Sequence, residues 1–316
     1  MQIINSPKRF ASMQSNAIFE IRPESVDPTE IKIMNSDGSP VGVKKFAECE
    51  SFKVNVAPYW GHLLRVVPCG AESPNVFLNN DRVVIVKIAA ESGMQSVESQ
   101  AIPLLYAKFD SEEGSLLNKI PEPKIIYRNG CEQIDLLVDG QSVSVEIEVM
   151  TNGYVAASYQ WGALHNASGV VSVVVDARKI IQMVGCETTT MTFRLKIALG
   201  DAVQYVEYLL LNDADERVSL KWLNGFGAIE SHPFDSVSAE VCSADERCKT
   251  LSLTSEPEDG VVVKWLSEII SAEQVWLVKD EQMLPVKVVT DKVEIKTAQM
   301  QRIVINVTLP ESLTTI

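Results

Sequence analysis

The sequence predicts an all-β protein of several domains, and two features of the chain predict it. Short runs rich in Val and Ile recur along the chain and are interrupted by Gly, Pro, Asn or Asp. Their spacing, roughly every eight to twelve residues, is typical of β-sandwiches and barrels. The segment Val143–Val149 alternates strictly between apolar and polar residues, which indicates a strand with one buried and one solvated face.

The individual strands are predicted from β-branched runs that end at turn residues. Asn35–Gly38, Arg128–Gly130 and Val138–Gly140 supply residues that tolerate the positive φ of tight turns. We expect strands at Ile18–Ile21, Ile31–Met34, Phe52–Val56, Val83–Ala89, Ile102–Phe109, Ile134–Val138, Val143–Val149, Val170–Val175, Thr190–Leu199 and Val203–Leu211.

The length of 316 residues is enough for two or three domains. A boundary is predicted in Asp110–Pro123, which combines acidic residues, Gly and two prolines. We therefore expect two β-sandwich-like (Ig-like) domains at 1–115 and 116–216 and a smaller β-rich domain at 217–316. The strand Phe52–Val56 and its surroundings are echoed around Val171–Val175, so the second domain is either a duplicate of the first or similar by chance.

The third domain is predicted to contain one α-helix near 257–270. Ser255 would cap it, Pro257 would occupy its first turn, and an apolar stripe from Val262 to Ile270 follows at helical spacing. The remaining segments of this domain predict strands at Val218–Asn224, Ala228–Phe234, Val275–Val278, Pro285–Val289, Val293–Lys296 and Arg302–Leu309.

The charge balance argues against several classes of partner. The chain carries 28 basic and 42 acidic residues, a net charge of −14, and no basic cluster of the kind that binds phosphate backbones. No segment resembles a signal peptide or a bilayer-spanning helix. We expect no nucleic acid, no membrane insertion, and synthesis in the cytoplasm.

The cysteines, at positions 49, 69, 131, 186, 242 and 248, are too sparse for a disulfide scaffold. Most are expected to be free thiols. The spacing of Cys242 and Cys248 leaves open a disulfide across a hairpin, or a metal site that lacks its other ligands.

The sequence offers no catalytic constellation. His62, His165 and His232 are not at metal-ligand spacing. Glu146 and Glu148 share one face of a strand, where solvation is the simpler role than glycosidase chemistry. Acidic loops at Asp110–Glu113 and Asn212–Glu216 lack the EF-hand pattern, so either calcium or plain solvation would account for them. We expect no enzyme activity, no cofactor and no metal.

Four aromatic residues are candidates for contact with a partner: Tyr59, Trp60, Trp161 and Phe226. Exposed aromatic clusters stack on sugars or anchor proteins. The same residues would also suit a core or a domain interface. Trp222, Trp265 and Trp276 are expected in the core.

The segment Leu220–Glu230, with its Leu-Lys-Trp-Leu-Asn run and glycine turn, resembles tail and baseplate structural proteins of phages and prophages of gut bacteria. The likeness extends over 218–310, through Trp265–Ile270 and Leu284–Val288. It departs from the family at Ala228–His232, where more aromatics and a second glycine are usual.

This resemblance implies a non-enzymatic virion protein that acts by self-assembly and by docking to other tail proteins. Its expected partners are further copies of itself, forming a homo-oligomer, and other tail or baseplate proteins. The alternative is a carbohydrate-binding or adhesive module that uses Tyr59, Trp60 and Trp161 to bind a surface glycan.

Overall fold

The computed structural model describes residues 1–24, 27–47, 50–60, 66–119, 121, 123–185, 190–211, 217–242, 247–279, 282–296 and 299–309, without the side chains of residue 16 and residues 237–249. Strands dominate this part of the chain and its helices are short. The predicted all-β fold with sandwich-like packing of its sheets is confirmed.

The first region is a sandwich of two sheets. One has the strand order β1-β2-β5 and the other β4-β3-β7-β8, with β9 paired to β7. Phe19 and Val54 of the first sheet and Ile33 and Ile88 of the second share one core. The elements are β1 (Gln2–Asn5), α1 (Met13–Asn16), β2 (Ile18–Arg22), β3 (Thr29–Met34), β4 (Pro40–Phe46), β5 (Phe52–Asn55), β6 (Val76–Leu78), β7 (Val83–Ser92), β8 (Gln95–Glu98) and β9 (Ile102–Leu105).

The second region is one six-stranded sheet with the order β10-β14-β13-β11-β12-β6. Strand β6, from within residues 1–115, pairs antiparallel with β12 and so belongs to this sheet. A tight turn with positive φ at Asn152 and Gly153 joins the two longest strands. The elements are β10 (Lys124–Tyr127), β11 (Cys131–Thr151), β12 (Tyr154–Asp176), α2 (Ala177–Val184), β13 (Met191–Leu199) and β14 (Ala202–Leu211).

The prediction of a turn at Val138–Gly140 is wrong, because the chain continues through it as β11. The register against β12 shifts between Asp139 and Gln141 and again before Val143. An inserted residue changes which face the following side chains occupy. Even-numbered residues of 134–138 and odd-numbered residues of 143–147 therefore reach the same core.

Helix α2 was not predicted, although its sequence carries both end signals. The Asp176 side chain accepts hydrogen bonds from the backbone N–H groups of Arg178 and Lys179, and Gly185 ends the helix with φ 71°. Ile180 and Ile181 then pack into the core of the second region.

The third region is a seven-stranded sheet with the order β19-β18-β15-β16-β17-β21-β20. Trp222 and Trp265 lie in its core, while Trp276 is buried in the core of the first region. The elements are β15 (Val218–Leu223), β16 (Ile229–Cys242), β17 (Arg247–Thr254), α3 (Gly260–Leu266), α4 (Glu268–Ser271), β18 (Val275–Lys279), β19 (Gln282–Pro285), β20 (Lys287–Val288) and β21 (Val304–Thr308).

Two details of the third region differ from the prediction. The helix near 257–270 is present as α3 and α4, but its cap is Asp259 and not Ser255. The Ser255 hydroxyl instead accepts a hydrogen bond from the backbone N–H of Ile303. Val293–Lys296 is not a strand, since the Gln301 side chain bonds the backbone of Glu294 and Lys296.

Candidate interaction edge and its support

A buried ion pair joins the three regions. Arg82, which ends a short 3₁₀ helix before β7, forms two hydrogen bonds of 2.7 and 2.9 Å to the Asp135 carboxylate on β11. The same guanidinium donates to the carbonyl oxygen of Gly227, in the turn before β16, at 2.6 Å. Both charged side chains are fully buried. Burial opposes the charge of Asp135, but Arg82 outweighs it and holds the pKa of Asp135 below its ordinary value.

The Asp135 carboxylate is saturated with further donors. It accepts hydrogen bonds from Gln133 Nε2 at 2.8 Å, Ser172 Oγ at 2.6 Å and the backbone N–H of Ile229 at 2.9 Å. Both oxygens of the carboxylate are thus paired, whereas Arg82 Nε has no hydrogen-bond partner among the described residues. Several buried hydrogen bonds to one carboxylate restrain the groups that form them. We conclude that this network holds the three regions in one arrangement.

The turn at Asn224, within the segment Leu220–Glu230, is a second connection between regions. The Asn224 side chain accepts from the backbone N–H groups of Phe226 and Ala228. It donates to the Leu117 carbonyl at 2.9 Å and to Glu230 at 2.7 Å. Burial raises the pKa of Glu230. The side chain of Asn224 thus joins the third region to the segment around Leu117.

A third buried cluster contains two lysines and two thiols. Lys221 Nζ donates to the Cys69 carbonyl at 2.8 Å, and Lys124 pairs with Glu132 at 2.6 Å. Burial lowers the pKa of Lys221 and raises that of Cys69 to about 12. A thiol held protonated is a poor nucleophile, so burial leaves the Cys69 thiol unreactive.

The cysteine predictions are tested at two positions. Cys69 and Cys131 are free thiols, as expected for most of the cysteines. Residues 49 and 186, and the side chains of 242 and 248, lie outside the described part of the chain, so a pairing of the last two stays a prediction.

The structure buries two of the four predicted contact aromatics. Trp60 lies in the core of the first region and Trp161 in that of the second. Neither presents its ring to a partner in this conformation, which corrects that part of the prediction. Tyr59 is half-buried against Gly42, with Lys44 Nζ 5.8 Å from its ring centre.

Phe226 is also half-buried, between regions of the same chain. Its ring centre lies 5.4 Å from that of Phe109, and Lys119 Nζ lies 4.7 Å from it. These are contacts within one chain. They leave Phe226 a smaller surface for a partner than the sequence suggested.

The histidines and acidic loops do not converge. His165 is exposed and His232 is buried, while residue 62 lies outside the described part of the chain, as do residues 212–216. Asp110 accepts a hydrogen bond from the Ser12 backbone. Among the described residues, no group of three or more His, Cys, Asp or Glu could hold a metal ion.

The first part of β12 has no strand partner on one side among the described residues. Residues 154–160, which we name the β12 edge, pair with β11 on one side. No other described strand pairs with them, since β6 reaches only Val171–Val173. Tyr154 and Val155 at its start are 79% and 44% exposed. A free edge of this kind offers N–H and C=O groups to another strand.

Four other edge strands of the described sheets carry protection that the β12 edge lacks. Strand β4 contains Pro40, Lys44 and Lys45, and β19 ends at Pro285. Strands β6 and β20 are very short. Proline, lysine and short length are the usual means by which proteins block edge pairing.

The β12 edge also lies in an uncharged stretch. No Asp, Glu, Lys or Arg occurs from Val149 to Val175, although the chain as a whole is strongly acidic. Sequence reasoning did not single out this stretch. The gap in charge was the signal that could have found it.

The outward face beside the β12 edge carries a polar ladder. Residues paired across neighbouring strands share a face, and Gln160, Glu146, Lys196 and Tyr205 are paired in that order. Lys196 bonds Glu146 at 3.1 Å. The charge of the Glu146 carboxylate is therefore neutralised by Lys196 on the same face.

The next row of this face repeats the pattern. Arg194 bonds Glu148 at 2.6 Å, and its guanidinium lies 4.2 Å from the centre of the Tyr205 ring. An open cleft of about 480 Å³ adjoins the ladder and is lined by small residues with Gln160 and His165. The predicted solvated face is thus a set of cross-strand ion pairs.

Among the described residues, no helix is both long and apolar enough to cross a bilayer. No family model and no curated protein matches the chain.

Two solved structures show a weak likeness. The N-terminal four Ig domains of Dscam1 isoform 4.4 share 10% identity at a TM-score of 0.21, covering 80% of this chain and 74% of that one. The S-layer protein rSbsC(31-844) shares 9% identity at a TM-score of 0.20, covering 94% of this chain and 40% of that one. Likeness at these TM-scores carries no inference about fold or function.

Proposed function

We propose that the chain is a non-enzymatic structural protein that works by binding other β-rich proteins through the β12 edge. The observation that carries this proposal is the coincidence of three properties there: unpaired backbone, exposed apolar side chains at Tyr154 and Val155, and no charge. Strand addition supplies affinity through main-chain hydrogen bonds and specificity through alternate side chains.

The rigid frame supports this role. The Arg82–Asp135 network and the Asn224 turn connect the three regions, so the sheet that carries the β12 edge is held in a fixed position. A preorganised surface loses less conformational entropy when a partner binds.

The finer proposal is that the chain belongs to a phage tail or baseplate. Its support is the resemblance of the Leu220–Glu230 segment to that family, together with the acidic charge, which disfavours nucleic acid as a partner. The partners are then further copies of the chain and other tail proteins, and the destination after synthesis in the cytoplasm is the virion.

Analysis of particles tests this finer proposal. Particles released by the cell that encodes the chain would be purified, examined by mass spectrometry and labelled with antibody for electron microscopy. We expect the chain in the particles, with label at the tail. Its absence from purified particles would contradict the assignment.

A second candidate function, carbohydrate binding, is favoured by the ladder face. Tyr205 is 43% exposed and stacks with Arg194 beside Glu146, Lys196 and the adjoining cleft. A planar ring next to convergent hydrogen-bonding groups suits a sugar. A glycan array would compare Tyr205→Ala with Tyr154→Ala, which changes an exposed tyrosine at the start of β12 in the same sheet. Binding lost in the first variant alone supports this candidate, and absence of any binding rejects it.

A further inference from the structure

We infer that the partner of the β12 edge is the β12 edge of a second copy of this chain, paired antiparallel about a two-fold axis. The inference rests on the proposed function and names the partner at that same site. A two-fold interface requires a surface that is complementary to itself. The β12 edge meets this requirement in charge and in register.

Charge favours self-pairing at this place over the rest of the surface. Two copies of a chain with net charge −14 repel each other. The β12 edge has no charged residue, and the nearby carboxylates Glu146 and Glu148 are neutralised by Lys196 and Arg194. Two copies that approach through this edge therefore bring no unpaired like charges together.

Register limits where the axis can pass. The pairing of β12 with β11 skips Ala156 and Trp161, which leaves Ala157–Gln160 as a regular run. Within it, Ser158 and Gln160 share the outward face because they oppose Glu148 and Glu146. Antiparallel partners must lie on the same face of the joined sheet.

Two registers satisfy these conditions. In one, Ser158 lies opposite its own copy and Ala157 lies opposite Tyr159. In the other, Tyr159 lies opposite its own copy and Ser158 lies opposite Gln160. Both registers place the axis through the middle of the β12 edge. Ser158 lies directly opposite the Ser158 of the other copy in the first register and diagonal to it in the second.

Charge-reversal variants at Ser158 test the inference. Ser158 is exposed, and its side chain forms an exposed hydrogen bond of 3.3 Å to Glu146. The variants Ser158→Lys and Ser158→Asp each place like charges across the axis. We expect the wild type to form a concentration-dependent dimer by light scattering, and each variant to raise the dimer Kd at least about tenfold. An equimolar mixture of the two variants should recover the dimer, because opposite charges then face each other.

The matched control is Val203→Lys. Val203 is 45% exposed on β14 of the same sheet, away from the β12 edge, and its variant should dimerise like the wild type. Thermal unfolding of each variant checks that the fold is retained.

Three results would overturn the inference. They are a strictly monomeric wild type at high concentration, dimers that neither Ser158 variant weakens, and a mixture that fails to recover the dimer. A monomeric wild type found at the tail of purified particles would leave the proposed function standing, with another protein at the edge.

Discussion

Trp161 donates a hydrogen bond from its Nε1 to the carbonyl oxygen of Val174 at 2.8 Å, although both residues belong to β12 and are 13 positions apart. A straight strand rises about 3.3 Å per residue, which would separate them by roughly 40 Å. The strand therefore bends back, so that its two halves lie in opposite layers around one core.

Replacing Trp161 by Phe should destabilise the protein without changing its association. The variant loses a buried hydrogen bond and part of the ring volume, so we expect a loss of about 2 kcal/mol in the free energy of unfolding. Urea unfolding measures it. The matched control is Trp60→Phe, since Trp60 Nε1 has no hydrogen-bond partner among the described residues. Equal losses in the two variants would contradict the role given to the hydrogen bond.

How far the sequence predicts this fold is visible in β11. The alternation in Val143–Val149 correctly predicts a half-buried strand, because alternation is a local property of the chain. The continuity of β11 through Asp139-Gly140 was missed, since the same residues suit a turn and a bulge equally well. The choice between them depends on β12, which contacts that stretch from far along the chain.

The candidate site, too, has one feature that the local sequence shows and one that depends on distant parts of the chain. The charge gap from Val149 to Val175 can be read from the sequence. Whether a strand lies at an edge depends on the order of strands in the sheet, which no local pattern encodes. The aromatic residues misled for a related reason, as a bulge at Trp161 turns a side chain of an exposed strand into the core.

Replacing Asp135 by Asn should be among the most destabilising single changes. It leaves the Arg82 guanidinium buried without its counter-charge, for which we expect a loss of about 3–5 kcal/mol by urea unfolding. The matched control is Asp139→Asn, which breaks the exposed pair with Arg9 and should cost less than about 1 kcal/mol. Similar losses in the two variants would contradict the importance of burial.

The same ion pair predicts a pH dependence. The pKa of Asp135 lies below its ordinary value of 3.8 in the folded chain. Its contribution to stability is therefore present above that ordinary value and is lost as the pH falls through the lower, folded pKa. Asp135→Asn should show a shallower loss of stability at acidic pH than the wild type. A variant that keeps the full acid slope would exclude Asp135 as its source.

Gly227 cannot be replaced without strain. Its φ is 82°, and an added Cβ would lie 2.8 Å from the carbonyl oxygen of Tyr106. We expect Gly227→Ala to lower the unfolding free energy by about 1–3 kcal/mol. Gly140→Ala is the control, because Gly140 has a similar φ of 67° with open space around it. An equal loss of unfolding free energy in Gly140→Ala would mean that the positive φ, and not the contact with Tyr106, causes the destabilisation.

Phe226→Ala separates a structural role from an interface role. The ring contacts Phe109 and Lys119 of the same chain, so we expect a loss of about 2 kcal/mol in stability and unchanged association by light scattering. Weakened association with unchanged thermal stability would instead show that a partner binds this turn.

The half-buried Glu258 and the buried His232 have pKa values shifted in opposite directions, so their effects on the pH dependence of stability oppose each other. Their side chains approach to 3.5 Å. Burial, with Asp259 and Glu256, raises the pKa of Glu258 from 4.5 to about 7. Burial, with Lys124, lowers the pKa of His232 from 6.5 to about 3. Between pH 4.5 and 6.5 the folded pair and the unfolded pair each hold one proton, so the two effects cancel.

Replacing Glu258 by Gln should make the effect of His232 on the pH dependence of stability measurable. In Glu258→Gln the unfolded chain holds one more proton than the folded chain below pH 6.5, so stability should rise with pH from about 3 to 6.5. The slope would approach about 1.4 kcal/mol per pH unit, measured as urea unfolding at pH 4.5, 5.5 and 6.5. Glu91→Gln changes an exposed carboxylate of the first region that pairs with Lys32 and should keep the wild-type profile. A Glu258→Gln profile parallel to the wild type would show that the opposite pKa shifts of the two groups do not cancel in this way.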